Sequence, residues 1–256
     1  MNRPETIDET AELVSSTGGV GIAVKTDHTV PGEVETLVNR IRLEQGRLDV
    51  LVNDVWGGEK LVQWGKPFWE LELDNTFKLL ERAIHTHIIT ARLATPLMLE
   101  TGNALLLEIT DGESGYYRGN FAYDLVKNAV IRMAKAMAAD AMGRQFSPEK
   151  FDGGVPRASS LTVAALTPGF LRSEEMLEHM GVTESNWQDA KDRTFASQSE
   201  SPRYIGRADE ARGRFNGQVL SSWRLMREYG FTDVDGRRPD WGAYFAATHA
   251  KDHPEL

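Results

Sequence analysis

The 256-residue chain contains no cysteine, which excludes a disulfide framework, a thiol nucleophile and a zinc–thiolate site. No apolar run approaches the roughly 18 residues of a membrane span. The opening residues, Met1-Asn2-Arg3-Pro4-Glu5-Thr6, do not resemble a signal peptide. Basic residues are outnumbered: 29 Lys and Arg face 38 Asp and Glu, giving a net charge of −9 and a pI near 5.3. That balance argues against nucleic acid or an acidic membrane surface as a partner. A cytoplasmic protein acting on a small molecule is the expectation. Six histidines are present, but His85 and His87 lie two apart on a helical pattern and face different directions. His249 and His253 have i,i+4 spacing within a polar C-terminal tail. No metal site is expected.

What is present is an alternation of helical and strand patterns. Ile7, Ala11 and Val14 recur at helical spacing and stop at Gly18-Gly19, ahead of the short apolar run Val20–Val24. Val34, Leu37, Val38 and Ile41 form the next apolar face, between Pro31 and Gly46. Leu48–Val52 reads as a buried strand. A helix through Phe77, Leu80, Ala83, Ile84 and Ile88 leads to a strand at Ala104–Ile109. A helix carrying Tyr123 leads to Leu161–Leu166, and Gly217–Ser221 closes the series. Short apolar strands separated by amphipathic helices indicate α/β architecture, a doubly wound, Rossmann-like parallel sheet covered on both faces. The chain reads as one domain. Residues 144–160 look like a surface excursion, and residues 170–207, with a cap at Thr183, suit a mobile lid.

Tyr123 and Lys127 sit four residues apart, so one helix face presents both the phenol and the ammonium. A phenol titrates near 10, and half-ionising it at neutral pH needs about 4 kcal/mol of differential stabilisation. A fixed cation one helical turn away can supply that. Two strand ends add to the pattern. Asn53-Asp54-Val55-Trp56-Gly57-Gly58 and Thr167-Pro168-Gly169-Phe170 place small and polar residues at carboxyl ends of parallel strands, where open α/β sheets bind ligands. Trp56, Trp64, Phe68, Trp69, Tyr116, Tyr117, Phe121, Phe170 and Trp187 cluster around this cleft in the sequence pattern, and some are candidates to line an apolar substrate pocket.

In this order, these segments resemble the short-chain dehydrogenase/reductase family across roughly the whole chain. Asn53-Asp54-Val55-Trp56-Gly57 resembles its Asn-Asn-Ala-Gly motif, Tyr123-x-x-x-Lys127 its catalytic pair, and Pro168-Gly169 with Ser173 its nicotinamide-contacting segment. Asp27 occupies the position of its adenine-contacting Asp. The resemblance implies an NAD- or NADP-dependent oxidoreductase interconverting an alcohol and a carbonyl on a small, apolar substrate. Tyr123 would be the acid/base and Lys127 would lower the phenol pKa and bind the nicotinamide ribose. Asp27, Asn53, Asp54, Val55, Pro168 and Gly169 would contact the cofactor. The rival reading is a non-catalytic remnant of the same fold, serving as a binding or scaffold subunit.

The departures are specific. Thr110 stands where the family has its catalytic serine, with Asp111 and Ser114 as alternatives. Ala83 stands where a helix asparagine supports a water relay, a role left to Thr86 or His87. The family's opening βαβ unit with its Gly-rich turn has no counterpart. Thr17–Gly21 is no substitute, because it follows a helix and opens a strand, whereas a phosphate loop does the reverse. With that unit missing, Val20–Val24 and Leu48–Val52 would lie about 14 Å apart, three strand spacings. The isolated chain is then expected to aggregate, melt low and bind NAD(P)H weakly. The family's habit of pairing through two helices, here Phe77–Leu99 and Phe121–Met142, implies a homodimer or homotetramer. Val126, Val130, Ala134, Met137 and Ala138 are the expected contact stripe.

Overall fold

Local signals set the element boundaries. Thr6 Oγ1 accepts from Glu9 N while the Glu9 carboxylate accepts from Thr6 N, a reciprocal cap that starts α1 (Ile7–Ser16). Pro31 begins α2 (Pro31–Gln45), and Gly46, at φ 71°, ends it in the left-handed conformation that glycine adopts without strain. The computed structural model describes residues 6–113, 115–143, 160–183, 185–189, 214–233 and 235–249. The excursion at 144–159, Ser114, the later part of the expected lid (190–207), His253 and the tail from 250 lie outside the described residues.

Four parallel strands, β1 (Val50–Asn53), β2 (Ala104–Ile109), β3 (Leu161–Thr167) and β4 (Val219–Ser221), form one sheet in that spatial order. Between β1 and β2 runs a long helical rod. It consists of α3 (Leu73–Leu80), a π turn over Glu81–His85, and α4 (Thr86–Thr101). Thr86 Oγ1 donates to the Arg82 carbonyl across that turn. Next come α5 (Phe121–Ala141), α6 (Glu174–Met180), α7 (Ser222–Tyr229) and α8 (Trp241–His249). No described helix is long and apolar enough to cross a membrane.

The sheet is covered on both faces, as the unbroken apolar runs of β2 and β3 require. On one face Leu106, Val163 and Ala165 pack against Ala91 and Met98 of α4 and Ile131, Ala134 and Ala138 of α5. On the other, Leu105, Leu107 and Leu166 meet Phe215, Leu220 and Leu225. Val126, Val130, Ala134 and Ala138, the stripe expected to contact a second subunit, are therefore buried within this chain. The small residues of α5 serve close approach to the sheet.

Val20–Val24 is not a strand. It folds back on α1: Gly21 N donates to Ser15 Oγ, and a Cβ at Gly21 would lie 2.0 Å from the Ala11 carbonyl oxygen. Tight apposition to a helix replaces strand pairing, so the expected pair of facing strand edges about 14 Å apart does not arise. The described part of the expected lid is anchored. Arg172, 1% exposed, pairs with Asp235 at 3.3 Å and lies over the Trp187 ring, while Leu177 and Trp187 are buried together. Thr183 still ends its segment in a turn, its N–H donating to Asn186 Oδ1.

Leu106, 1% exposed at the sheet centre, sets the scale of core packing. Leu106→Ala is expected to destabilise the fold by about 2–5 kcal/mol, read from the shift in urea unfolding midpoint.

Candidate active site

Asn120 fixes the helix that carries the tyrosine. Fully buried, it caps α5 by accepting from Ala122 N at 3.0 Å and Tyr123 N at 3.1 Å. Its amide donates to the Gln63 carbonyl, tying the cap to the loop that holds Trp64. Tyr123 emerges from the first turn and Lys127 from the next, one above the other as the spacing requires.

A second device fixes the loop after β2. The Arg118 side chain, 2% exposed, donates through Nε to the Asp111 carbonyl and through Nη1 to Asp124 Oδ1 at 2.9 Å. Gly112, at φ 75°, leaves no room for a side chain. A Cβ there would stand 2.9 Å from the Tyr116 hydroxyl oxygen. The loop is thereby clamped to the start of α5 with Asp111 facing the phenol, and Tyr123 Oη donates to Asp111 Oδ2 at 2.9 Å.

This arrangement departs from expectation twice. Thr110, expected to hold the substrate oxygen, is engaged elsewhere. Its hydroxyl donates to the Lys127 carbonyl at 2.8 Å, so it anchors α5, and Asp111 takes the place expected of Thr110. Nor is the phenol driven toward ionisation by Lys127. Burial, the Asp111 charge and the hydrogen bond to it push the Tyr123 pKa well above that of an ordinary tyrosine. Tyr116 is raised by the same burial and the same carboxylate. Burial lowers the Lys127 pKa, against the opposing charges of Asp111 and Asp54. Its ammonium lies 4.1 Å from the centroid of the Trp56 ring and 5.6 Å from that of Tyr123.

Two indoles flank the phenol. Trp56 meets Tyr123 edge-on at 5.7 Å and Trp64 at 5.2 Å, with Phe68 packed on Phe121 at 5.8 Å. Trp64, Phe68 and Trp69 remain exposed. Beyond Tyr116, Phe245 and Trp241 of α8 stack toward Phe170.

The remaining expected cofactor contacts are dispersed. Asn53 is buried, and its amide donates to the His87 carbonyl and to Glu108. Asp54 is exposed nearby, and Val55 accepts from His87 through its carbonyl. Pro168 and Gly169 end β3 beneath Trp223 and Trp241, with Ser222 Oγ donating to the Pro168 carbonyl. Ser173 caps α6. Asp27 ends no strand. Its carboxylate accepts from Thr29 N and Oγ1, which lower its pKa, in a turn whose His28 bonds Thr90 of α4.

Sequence reading missed Glu108 and Arg118. The signal for the first was available: a carboxylate inside the run Leu105–Ile109 is rarely buried unless paired. Glu108 is fully buried, with His87 Nδ1 at 2.5 Å from Oε2. His87 Nε2 faces the Val55 carbonyl at 3.0 Å, which can only accept, so that nitrogen carries hydrogen. His87 thus tethers the Trp56 loop and does not extend toward Lys127 as a relay. Among the described residues no group of three His, Asp or Glu is placed to hold a metal.

His87→Leu would strand the Glu108 charge, at an expected cost of about 3–5 kcal/mol, whereas His87→Leu/Glu108→Leu should recover most of it. Urea unfolding of both variants checks this, and equal losses would show that the pair is not ionic.

Residues 1–146 match the family model described as enoyl-(acyl carrier protein) reductase. Human dehydrogenase/reductase SDR family member 1 is 28% identical over 245 residues, covering 91% of this chain and 73% of that protein. A gluconate 5-dehydrogenase from Burkholderia cenocepacia, solved in complex with NADP and tartrate, superposes with a TM-score of 0.57. It is 17% identical and covers 83% of this chain and 78% of that one. Another structure, from Haemophilus influenza with bound NAD, gives 0.61 at 18% identity, covering 84% and 80%. These two likenesses show the fold, whereas the family model spans more than half the sequence. The chain belongs to the short-chain dehydrogenase/reductase family.

Proposed function

We propose that this protein is an NAD(P)-dependent oxidoreductase that interconverts an alcohol and a carbonyl on a small, apolar, ring-bearing substrate. One observation carries the reading. The Tyr123 ring packs against two indoles beside the carboxyl ends of parallel strands, with the Lys127 ammonium 5.6 Å from its centre. Parallel sheets bind ligands at that end, and the human relative in the family is a dehydrogenase/reductase by name.

The residues present fit the nicotinamide end of NAD or NADP. Among the described residues Lys127 makes no hydrogen bond or ion pair, so its ammonium is available to ribose hydroxyls. Asp54 and Val55 at the end of β1, and Pro168 and Gly169 at the end of β3, frame the same side of the sheet. No residue is assigned to the pyrophosphate, because among the described residues no Gly-rich turn joins a strand to a helix N-terminus. When bound, the nicotinamide gives or takes hydride at the substrate carbon. Tyr123 exchanges a proton with the substrate oxygen, Lys127 holds the cofactor ribose, and Trp56 and Trp64 grip the apolar ring and exclude water. Thr110 contributes through the placement of α5.

Turnover is expected with NAD(P)H and small cyclic ketones. Tyr123→Phe should lower it by a factor of about 10²–10⁴ with little change in nucleotide affinity. A variant within a few-fold of wild type would remove Tyr123 from the reaction. A protein that binds nucleotide yet turns over none of these ketones would support the non-catalytic reading.

A homodimer or homotetramer is also proposed, on residues other than the buried stripe of α5. Phe121 and Leu125 on α5, and Phe77 and Ile88 on the rod beside it, remain between 42% and 59% exposed. Light scattering at micromolar concentration should report a dimer or larger, and Leu125→Glu should shift it toward monomer. A wild-type monomer would end this proposal.

A further inference from the structure

Resting on the oxidoreductase reading, we propose that Asp111 is the terminal proton acceptor of the site. It takes the Tyr123 proton as Tyr123 takes the proton of a substrate hydroxyl. The family's serine position does not supply this group, since Thr110 is turned into α5. Asp111, one residue later, holds Tyr123 Oη at 2.9 Å.

The direction of that hydrogen bond decides the chemistry. A carboxylate only accepts, so the phenol hydrogen points at Asp111 and the lone pairs of Oη are left to accept a further hydrogen. The resting site therefore offers an acceptor, which suits an alcohol better than a carbonyl oxygen. A free tyrosinate would be costly here, because burial and the Asp111 charge both oppose it. Passing both protons in one step removes the need for it. The substrate O–H bond breaks and its proton bonds to Tyr123 Oη. The Oη–H bond breaks and that proton bonds to Asp111 Oδ2. The O–H electron pair becomes the second bond of the carbonyl, while the C–H pair leaves as hydride to the oxidised nicotinamide. Phenol is regenerated neutral, and Asp111 ends as the acid, accessible to water at the half-buried loop. Ketone reduction runs the same transfers backward from protonated Asp111.

The surroundings hold Asp111 for this task. Arg118 fixes its backbone, Gly112 admits the Tyr116 ring beside it, and the Lys127 ammonium lies 5.6 Å from the centre of the phenol ring. Among the described residues, the charged and titratable groups facing this cluster are Tyr123, Asp124 and Lys127 from α5, Tyr116 and Arg118 from the loop, and Asp54 and Glu59 from the segment after β1.

Asp111→Asn keeps the shape and an acceptor but removes the charge and the basicity. Two measurements separate the outcomes. The first needs neither cofactor nor substrate: the titration of ring-¹³C-labelled tyrosines followed by NMR, with Tyr123→Phe identifying the signal. Tyr123 should titrate at least about one pH unit lower in Asp111→Asn than in wild type. An unchanged titration would overturn the contact and the proposal with it. The second is oxidation of cyclohexanol and indanol with NAD⁺ and NADP⁺ in mixtures of light and heavy water. Wild type should give a bowed proton inventory, two protons moving together. Asp111→Asn should be slower by about 10²–10⁴ with a linear inventory. A variant within a few-fold of wild type, or one retaining the bowed inventory, would overturn the relay while leaving the oxidoreductase reading intact. Wild type inactive on both alcohols and on the corresponding ketones would instead overturn that reading.

Discussion

A carboxylate at the centre of a parallel sheet is tolerated only where its charge is met from every side, and Glu108 satisfies that condition through two neighbours. His87 reaches it from α4 and Asn53 from the adjacent strand. The three groups join β1, β2 and the helical rod at one point, and through the Val55 carbonyl they extend to the loop that carries Trp56. The apolar core gives the fold its free energy, since hydrophobic burial is nondirectional and scales with area. This polar knot gives the end of the sheet its geometry, since hydrogen bonds between buried groups tolerate little displacement. The Trp56 contacts to Tyr123 and Lys127 are built on that fixed end.

The site carries an electrostatic tension of the kind that function demands. Lys127 is held with its pKa depressed by burial, and Tyr123 with its phenol kept protonated by an anion at hydrogen-bond distance. Neither arrangement favours the folded state by itself. Arg118 and Asp124 compensate next door, forming an ion pair that satisfies the loop backbone at the same time. Reactive groups and stabilising groups therefore belong to different residues of one short segment, 111–127.

Much of this was legible in the sequence, for reasons that differ by element. The helices beginning at Thr6 and Pro31 and the strands at 104–109 and 161–167 carry local signals, caps and unbroken apolar runs, that tertiary context did not override. The facing of Tyr123 and Lys127 followed from helix periodicity alone. The apolar run Val20–Val24 misled because strand propensity describes a fit to a pleated neighbour, and α1 took the neighbour's place. Periodicity located the small-residue stripe of α5 but could not say whether sheet or partner covered it. Thr110 against Asp111 was undecidable for another reason. Consecutive residues leaving a strand point to opposite sides, and which side faces the phenol depends on Arg118, seven residues further on.

The π turn at Glu81–His85 has a consequence of its own. A wider turn inserts one residue into the helical count, so everything after it is rotated by roughly 100° relative to an uninterrupted helix. Phe77 before the turn and His87 after it are ten residues apart, yet the first is exposed and the second points into the sheet. The angular phase of α4, and with it the identity of the residue that meets Glu108, is thus encoded in a residue count. Loss of one residue inside the wide turn would restore an ordinary turn and keep the phase of α4, whereas loss of one residue from the regular turns of α3 would carry Ile88 into the place of His87 and leave the knot untied.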